Sequence, residues 1–247
     1  MSRRSSPLYR ATAVVLRHYK LGEADRIVVL LTEEQGKVRA VVKGVRKTGS
    51  KFGARLEPMS HVRLLLYQGR ELDIVSQAES VEPLAPLLSS LDRASQAMAV
   101  LEAVDQLAME REPNVELYRM VVGALRLIAE RPGPLVVPAF YWKLLAAEGL
   151  RPTLDECARC GESGPDTMLV AFDLNEGGVV CRSCRSGTAI TPAALTLLRD
   201  ILGGRLNEAL AAAESPSVHE VALLATRAME HHLERRLRTI AMFERHD

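Results

Sequence analysis

A strand followed by a basic loop is predicted for residues 35–56, QGKVRAVVKGVRKTGSKFGARL, which contain seven Lys or Arg and no Asp or Glu. Val38, Ala40 and Val42 alternate mainly with Lys and Arg, which is the period of two of a half-buried strand. The alternation stops at Gly44, and the Gly- and Ser-containing segment beyond it predicts a loop. A loop of this charge repels itself unless an anion lies across it, so it predicts a surface for a polyanion.

A solvated basic loop without a binding role is the alternative interpretation, and it suits an average run of charges better. Two features favour the binding surface here. Acidic residues are missing from 22 consecutive positions, and the loop lies between two predicted strands. A phosphate-binding loop of the Walker type is not predicted, because residues 44–53 lack the Gly-Lys-Ser/Thr ending of that motif.

Four further strands are predicted around the strand at residues 37–43, each rich in Val, Leu and Ile. They cover residues 9–18, 26–32, 61–68 and 72–78. Short connections containing Gly36 and Gly69 predict hairpins in which glycine supplies a positive φ. Five strands with one long loop predict a small barrel, and the five-stranded OB-fold is the leading candidate.

Aromatic side chains are scarce in this region and comprise Tyr9, Tyr19, Phe52 and Tyr67. Each is better explained as a core residue than as a platform for nucleic-acid bases. Phe52 is the best exception, because it lies inside the basic loop. Few stacking groups and many charges predict binding that is mainly electrostatic and poorly selective for sequence.

The composition of the whole chain is that of a folded globular protein, with 247 residues, 47% apolar and 26% charged. The net charge of +1 combines +7 over residues 1–80 with −6 over residues 81–247. This asymmetry predicts a polyanion at one end and a different partner, such as a protein, at the other. A membrane-spanning apolar run and the apolar region of a signal peptide are both missing, so a cytoplasmic location is expected.

Helical periodicity replaces the strand pattern beyond Pro83. Three helices are predicted, at residues 91–108, 115–130 and 136–148, and they are expected to form one bundle. Trp142, the one tryptophan of the sequence, is expected to be a core or interdomain residue.

Four cysteines form two Cys-x-x-Cys pairs, Cys157 with Cys160 and Cys181 with Cys184, separated by twenty residues. Each pair can place two thiolates around a tetrahedral ion, and the spacing lets a short hairpin bring the pairs together. Four sulfur ligands close the coordination shell. The sequence therefore predicts a structural Zn²⁺ ion rather than a catalytic one.

A redox dithiol is the alternative for these cysteines, but two matched pairs without a surrounding βαβ pattern disfavour it. Disulfides are not expected in a reducing compartment. Gly161, Gly177 and Gly178 supply the tight backbone that such a knuckle needs. Arginines flank the cysteines, but neighbouring glutamates offset part of their charge, so the knuckle is interpreted first as a scaffold.

Three more helices are predicted after the cysteines. The first begins with Thr191 as N-cap and Pro192 in the first turn, and a short helix follows at residues 206–213. The last runs to about residue 243 and starts with a capping box formed by Ser217 and Glu220. It is expected to pack back on the first bundle.

The predicted fold class is α+β, with a five-stranded OB-fold barrel, an all-helical body and a small four-cysteine zinc knuckle. The predicted domains are the OB-fold at residues 1–80, a helical domain in two parts at residues 81–150 and 188–247, and the zinc knuckle at residues 151–187.

With this order of elements, the chain resembles the RecO family of bacterial recombination mediators, which act in DNA repair. Four short motifs carry the resemblance: GEADR at residues 22–26, TEEQGK at 32–37, KGVRK at 43–47 and RLEP at 55–58. The likeness continues into the fifth strand, weakens over the helices and returns at the cysteines. It covers nearly the whole chain.

The resemblance implies an OB-fold that binds single- and double-stranded DNA and anneals complementary strands. It also implies a complex with RecR, contact with the C-terminal tail of the single-stranded DNA-binding protein, and help in loading RecA. Tail binding in the family uses an apolar groove with basic residues in the helical region. Some family members lack the cysteines, which agrees with a structural role for zinc. Matched position by position, the implied phosphate contacts are Arg39, Lys43, Arg46, Lys47, Lys51 and Arg55.

Three other functions are weighed against this one. An RNA-binding factor could use the same parts, and preference for DNA or RNA of one sequence would separate the two. A metal-dependent nuclease is disfavoured because Asp73, Glu79 and Asp173 lie on different predicted elements, and no nucleophile with a partnered base is recognisable, so no enzymatic activity is expected. If the protein were purely a protein-interaction scaffold, charge reversal in the loop would leave nucleic-acid binding unchanged.

Overall fold

The computed structural model describes residues 8–47, 49–50, 52–83 and 85–237. This part of the chain forms two compact units, residues 8–131 and residues 132–237. The first contains the predicted barrel strands, and the second contains the four cysteines. The finer division at residues 80, 150 and 187 stays a prediction.

Five strands of the first unit close into a barrel with the order β1-β2-β3-β5-β4. Neighbouring strands are antiparallel except β3 and β5, which pair in parallel. This topology confirms the predicted five-stranded OB-fold barrel. The strands are β1 (Leu8–Leu21), β2 (Asp25–Thr32), β3 (Gly36–Val42), β4 (His61–Tyr67) and β5 (Asp73–Ser80).

The barrel core is filled by the alternate residues of each strand. On β3, Val38, Ala40 and Val42 are buried, while Lys37 and Arg39 between them are partly exposed. The period of two in the sequence therefore predicted correctly which side chains of this strand face the core.

Phe52 also belongs to the barrel core, although it follows the basic loop. Only 3% of Phe52 is exposed, and it packs with the buried strand residues. The prediction of Phe52 as a stacking platform is therefore wrong. Burial of the phenyl ring in the barrel core is more favourable in free energy than exposure of the ring to solvent.

The two predicted hairpin glycines have different roles. Gly36 has a φ of +65°, and a Cβ there would lie 1.9 Å from the carbonyl oxygen of Glu112. Gly69 does not have a positive φ, so that prediction is wrong. Glycine is nevertheless needed at position 69, because a Cβ would lie 1.9 Å from the carbonyl oxygen of Leu72.

Helices α1 (Leu91–Leu107) and α2 (Val115–Glu130) complete the first unit and pack against each other. Ser90 and Asn114 cap their N termini through side-chain oxygens that accept backbone N–H groups. Helix α1 also packs against β1, so the helices cover one part of the barrel and leave the rest exposed.

The second unit combines helices with a small sheet of strand order β7-β6-β8. Helix α6 packs against α3 and α4. The structure thus assigns α3 to this unit, and the expectation of one bundle formed by the first three helices is wrong. The elements are α3 (Val136–Ala147), β6 (Leu169–Asp173), β7 (Gly178–Cys181), β8 (Thr188–Ala189), α4 (Pro192–Leu202), α5 (Leu206–Leu210) and α6 (Pro216–Leu233).

Trp142 is a core residue of the second unit, as expected. Only 1% of it is exposed, and its ring centroid lies 5.6 Å from that of Phe172 on the small sheet. This aromatic contact joins α3 to the sheet that follows the first cysteine pair.

Helix caps explain where the last helices begin. Thr191 caps α4 by accepting the N–H of Ala194, as predicted. The capping box predicted at Ser217 and Glu220 is wrong, because Ser215 caps α6 instead. The Glu220 carboxylate accepts from the Thr191 backbone N–H and hydroxyl, both at 2.7 Å, and so stabilises the start of α4.

The C-terminal helix is shorter than predicted. Helix α6 ends at Leu233, and Glu234 has a left-handed backbone with a φ of 52°. The helix predicted to residue 243 is therefore wrong over residues 234–237, and its remainder lies outside the described residues. Helices long and apolar enough to cross a bilayer are absent from the part of the chain that the structure describes.

Candidate nucleic-acid interface and metal centre

The basic loop after β3 is folded into consecutive tight turns. Lys47 N donates to the carbonyl oxygen of Gly44 at 3.2 Å, and Ser50 N donates to that of Lys47 at 3.0 Å. A short 3₁₀ helix (Gly53–Leu56) ends the loop. The cations of the loop are therefore presented from a hydrogen-bonded backbone.

The β1–β2 turn holds the start of the loop. The Asp25 carboxylate accepts the N–H of Gly44 at 2.7 Å, so it stabilises the start of the loop. Arg46 N donates to the Ala24 carbonyl at 3.0 Å, and Arg46 Nη1 donates to the Gly22 carbonyl at 3.3 Å. These bonds fix the backbone at residues 44–46 against the barrel.

Glu57 holds the other end of the loop. Its two carboxylate oxygens lie 2.6 Å from Arg26 Nη1 and 2.8 Å from His18 Nε2. Burial raises the pKa of Glu57, but the Arg26 guanidinium and His18 together hold that pKa below its ordinary value. The carboxylate is therefore charged when it anchors the loop.

Three of the four motifs that carry the family resemblance thus contact one another. The GEADR motif supplies Asp25 and Arg26, the KGVRK motif supplies Gly44 and Arg46, and the RLEP motif supplies Glu57. Their contacts shape the basic loop. Asp25 and Glu57 are structural, because Asp25 accepts a backbone N–H group of the loop and Glu57 pairs with barrel cations.

Lys43, Arg46 and Lys47 form the exposed part of this basic surface. All three are exposed and lie within five consecutive residues. None of them makes an ion pair with another described residue. Three uncompensated cations on a fixed turn give a site suited to phosphate groups.

Arg39 has a different environment from these three residues. Its Nε lies 2.9 Å from Glu110 Oε1, and Glu110 follows α1 in a short segment that pairs with β3 next to Lys37. A phosphate must compete with this carboxylate for Arg39. The structure therefore separates Arg39 from the cluster at residues 43–47.

The two remaining candidates lie at the end of the loop. Arg55 is exposed on the 3₁₀ helix and donates to the Phe52 carbonyl at 3.2 Å, which points it along the loop. Lys51 lies outside the described residues.

The four cysteines of the second unit come together as predicted. The Sγ atoms of Cys157, Cys160, Cys181 and Cys184 all lie within 4.8 Å of one another, and those of Cys160 and Cys181 are 3.9 Å apart. A tetrahedral ion with Zn–S bonds of about 2.3 Å has sulfur–sulfur edges of about 3.8 Å. The donor set and its spacing fit a four-sulfur metal site.

Glycine backbones give the knuckle its shape, as predicted. Gly161 has a φ of +74° and donates to the Cys157 carbonyl at 2.8 Å. Gly177 has a φ of +69°, and a Cβ on Gly178 would lie 2.4 Å from the Thr153 carbonyl oxygen. Gly161 and Gly177 are thus favoured by their positive φ, and Gly178 by its close approach to Thr153.

The surroundings of the cysteines favour a bound cation. Burial raises the pKa of Cys157, but backbone N–H groups of Cys160, Cys181 and Arg159 outweigh it and lower that pKa to about 6. The adjacent Cys160 thiol and burial raise the pKa of Cys184 to about 12. One thiolate forms readily, whereas a full set of four requires a positive ion among them.

Two of the carboxylates considered for a nuclease, Asp73 and Asp173, belong to different units and are buried. Asp73 is fully buried, where it accepts from Tyr9 and Arg111. Asp173 is buried in the other unit and accepts from Ser186 and backbone N–H groups. Both are explained by the hydrogen bonds they make.

Tyr67 is the aromatic residue that the sequence interpretation misjudged. It is 47% exposed on β4, although it was expected in the core. The strand pattern contained the signal, because Leu64 and Leu66 face inward and Arg63 shares the outer face with Tyr67.

Comparison with known protein families gives two matches that together span most of the chain. Residues 5–84 match the family described as Recombination protein O N terminal. Residues 88–240 match the family described as Recombination protein O C terminal. The first match contains the barrel and its basic loop, and the second contains α1 to α6 with the four cysteines.

Proposed function

The chain belongs to the recombination protein O (RecO) family, and we propose that it is a DNA-binding recombination mediator that anneals complementary strands during DNA repair. The cluster of Lys43, Arg46 and Lys47 carries this proposal, because these exposed cations lie on a folded turn of an OB-fold barrel. A mediator of this kind needs no catalytic centre. It would act in the cytoplasm, where its DNA is.

Phosphate contacts are proposed for all six basic residues. Lys43, Arg46, Lys47 and Arg55 are exposed and would contact phosphates directly. Arg39 would do so after its ion pair with Glu110 opens. The assignment of Lys51 rests on the sequence.

Strand annealing is the experiment that tests this function. The rate at which two complementary oligonucleotides anneal would be measured with the wild type and with Lys43→Glu/Arg46→Glu/Lys47→Glu. We expect the triple variant to lose the acceleration. A matched control, Arg182→Glu/Arg185→Glu, reverses charges on the cysteine knuckle and should anneal like the wild type. Loss in the control alone would move the DNA site to the knuckle.

RecR, RecA and the single-stranded DNA-binding protein are the proposed protein partners. With RecR, the protein would help to load RecA on DNA coated with the single-stranded DNA-binding protein. A cavity of about 300 Å³ is the proposed site for that protein's C-terminal tail, because its walls include the apolar residues Met59, Leu87 and Val122. Its cation, Arg126, is paired with Glu82, so a carboxylate of the tail would have to displace Glu82. Arg126→Ala should weaken binding of a tail peptide, whereas Arg119→Ala, on the exposed side of α2, should not.

Zn²⁺ is the proposed ion of the cysteine cluster, with Cys157, Cys160, Cys181 and Cys184 as ligands. When bound, it would cross-link the two halves of the knuckle. Arg159 at this site is held by Glu176 at 3.0 Å, with Asp173 at 3.6 Å. Because this cation is already paired, the knuckle is better suited to supporting the fold than to binding phosphate.

A further inference from the structure

A second exposed surface of the barrel lies on the outer side of β1 and β4, and we call it the β1–β4 face. The strand register places Leu8 opposite Tyr67, Arg10 opposite Leu65, and Arg63 two pairs further along, opposite Thr12. The intervening residues of both strands, including those in the barrel core, face inward. These side chains therefore project from the same side of the sheet.

Tyr67 and the arginines give this face the chemistry of a single-strand site. Tyr67 is 47% exposed, whereas the other aromatic side chains in the described ranges are buried or half-buried. Arg10 is diagonal to both Tyr67 and Arg63 in the register, which is within reach of long side chains. An aromatic ring accepts an unpaired base by stacking, and neighbouring arginines contact the phosphates on either side.

The charges around the face favour a polyanion moderately. Arg10, Arg63 and Arg70 are exposed and make no ion pair with another residue that the structure describes. Glu79 is opposite Arg63 on β5, and Glu71 is in the β4–β5 connection. The surface thus carries three cations and two acidic residues, a small net positive charge. Stacking on Tyr67 must therefore contribute much of the affinity for DNA.

The β1–β4 face and the basic loop lie at opposite ends of β1. Leu8, at the start of β1, pairs with Tyr67. Leu21, at its end, pairs with Asp25, whose carboxylate holds Gly44 in the loop. The face uses residues near the start of β1, whereas the loop contacts the turn beyond its end, so the two surfaces share no residue. The two surfaces are thus separate sites on one barrel.

We propose that the β1–β4 face is a second binding site for single-stranded DNA, in which a base stacks on Tyr67 and phosphates contact Arg10 and Arg63. One strand would then lie on the basic loop and the complementary strand on this face. This inference rests on the proposed annealing function and explains how one barrel holds both strands. The loop, which offers charges without an exposed aromatic side chain among its described residues, binds backbone of any kind, whereas this face requires unstacked bases.

Tyr67→Ala and Tyr67→Phe form the matched pair that tests this site in the full-length chain. We expect Tyr67→Ala to weaken binding of a single-stranded oligonucleotide about tenfold and to slow annealing, because a stacked base is lost. Tyr67→Phe keeps the ring and should bind like the wild type. Duplex affinity should not change in either variant, since paired bases are already stacked. Arg10→Gln/Arg63→Gln should make the salt slope for the single strand shallower by about 1.4.

Unchanged single-strand affinity in Tyr67→Ala would overturn the second site. If Tyr67→Ala changes the sedimentation coefficient of the protein but leaves its DNA affinity unchanged, the second site would also be overturned. The face would then be assigned to contact with a second copy of the chain. Failure of the function itself looks different, because the wild type would then bind no DNA and accelerate no annealing. Thermal unfolding of each variant shows whether a loss of binding reflects a loss of fold, and the arginine variant tests the face without touching the ring.

Discussion

At the scale of single residues, the barrel neutralises several of its own cations. Asp105 lies 2.6 Å from Arg17 and accepts Lys37 through its backbone carbonyl at 2.7 Å. Glu110 holds Arg39, and Glu57 holds Arg26. Which cations remain available to DNA is therefore decided by carboxylates on α1, in the segment after it and in the connection before β4.

Glu110→Gln is expected to strengthen binding of single-stranded DNA by up to about fivefold, because an exposed ion pair of this kind is worth about 1 kcal/mol or less and its loss frees Arg39 for a phosphate. Fluorescence anisotropy at low salt measures the change. Glu112→Gln is the matched control and should have a smaller effect. The interpretation predicts that Glu110→Gln has no such effect in an Arg39→Gln background, and an equal gain there would contradict it.

Glu57 gives the loop a dependence on pH. Its pKa is held below the ordinary value of 4.5, so its contribution to stability is present above that pH and is lost as the pH falls through the lowered pKa. Glu57→Gln should therefore destabilise the barrel at neutral pH, and its stability should vary less than that of the wild type below pH 4.5. Urea unfolding at pH 7 and at pH 3.5 measures this. Identical pH profiles for both proteins would show that the anchor contributes nothing.

Individual side chains were the least predictable level of this structure. The sequence indicated the basic cluster because its charges are consecutive and free of acids. It did not indicate that Arg39 is paired, since Glu110 is 71 residues away. Phe52 was the candidate for an exposed ring because it lies in a loop, but it is buried in the barrel core. Tyr67 was expected in the core, although its position on β4 places it on the outer face.

At the scale of elements, periodicity predicted the five strands, α1, α2 and α3 within a few residues. The ends of these strands and helices depend on tertiary contacts, which the periodicity of the sequence does not indicate. Ser217 and Glu220 have the spacing of a capping box, yet Glu220 is used by Thr191 on another helix. The glycines of the knuckle were predictable, because metal knuckles require tight turns beside their ligands.

Cys157→Ser is expected to destabilise the second unit and to release zinc, because Cys157 is 1% exposed and belongs to the small core around β6 and β7. The zinc content and the thermal unfolding temperature measure both effects. DNA binding at low temperature should persist, since the mutation removes no proposed phosphate contact. A variant that stays fully folded and retains its metal would contradict the four-sulfur site.

At the scale of the whole molecule, the asymmetry of charge and the order of the motifs were visible in the sequence. The basic excess of residues 1–80 corresponds to the barrel and its loop, and the family matches cover the barrel and the helices in turn. The assignment of α3 to the unit of the cysteines was not predictable. Helical periodicity shows that a face is apolar, but not which neighbour covers it.

The salt dependence of DNA binding is a property of the whole basic surface. If six side chains contact phosphates, the slope of log K against log[salt] on a single strand should be near −4, at about 0.7 per contact. If Arg39 stays with Glu110, five contacts give about −3.5. A flat salt response would contradict an electrostatic interface of any size.

A titration of fluorescent single-stranded DNA with the wild type and with Lys43→Glu/Arg46→Glu/Lys47→Glu, at low and moderate salt, tests the central claim most directly. The account predicts salt-sensitive binding by the wild type and much weaker binding by the triple variant, which retains only the β1–β4 face, with both proteins folded. An RNA oligonucleotide of the same sequence should bind more weakly to the wild type than the DNA does. Equal DNA binding by the two proteins would contradict the claim that the basic loop is the DNA site.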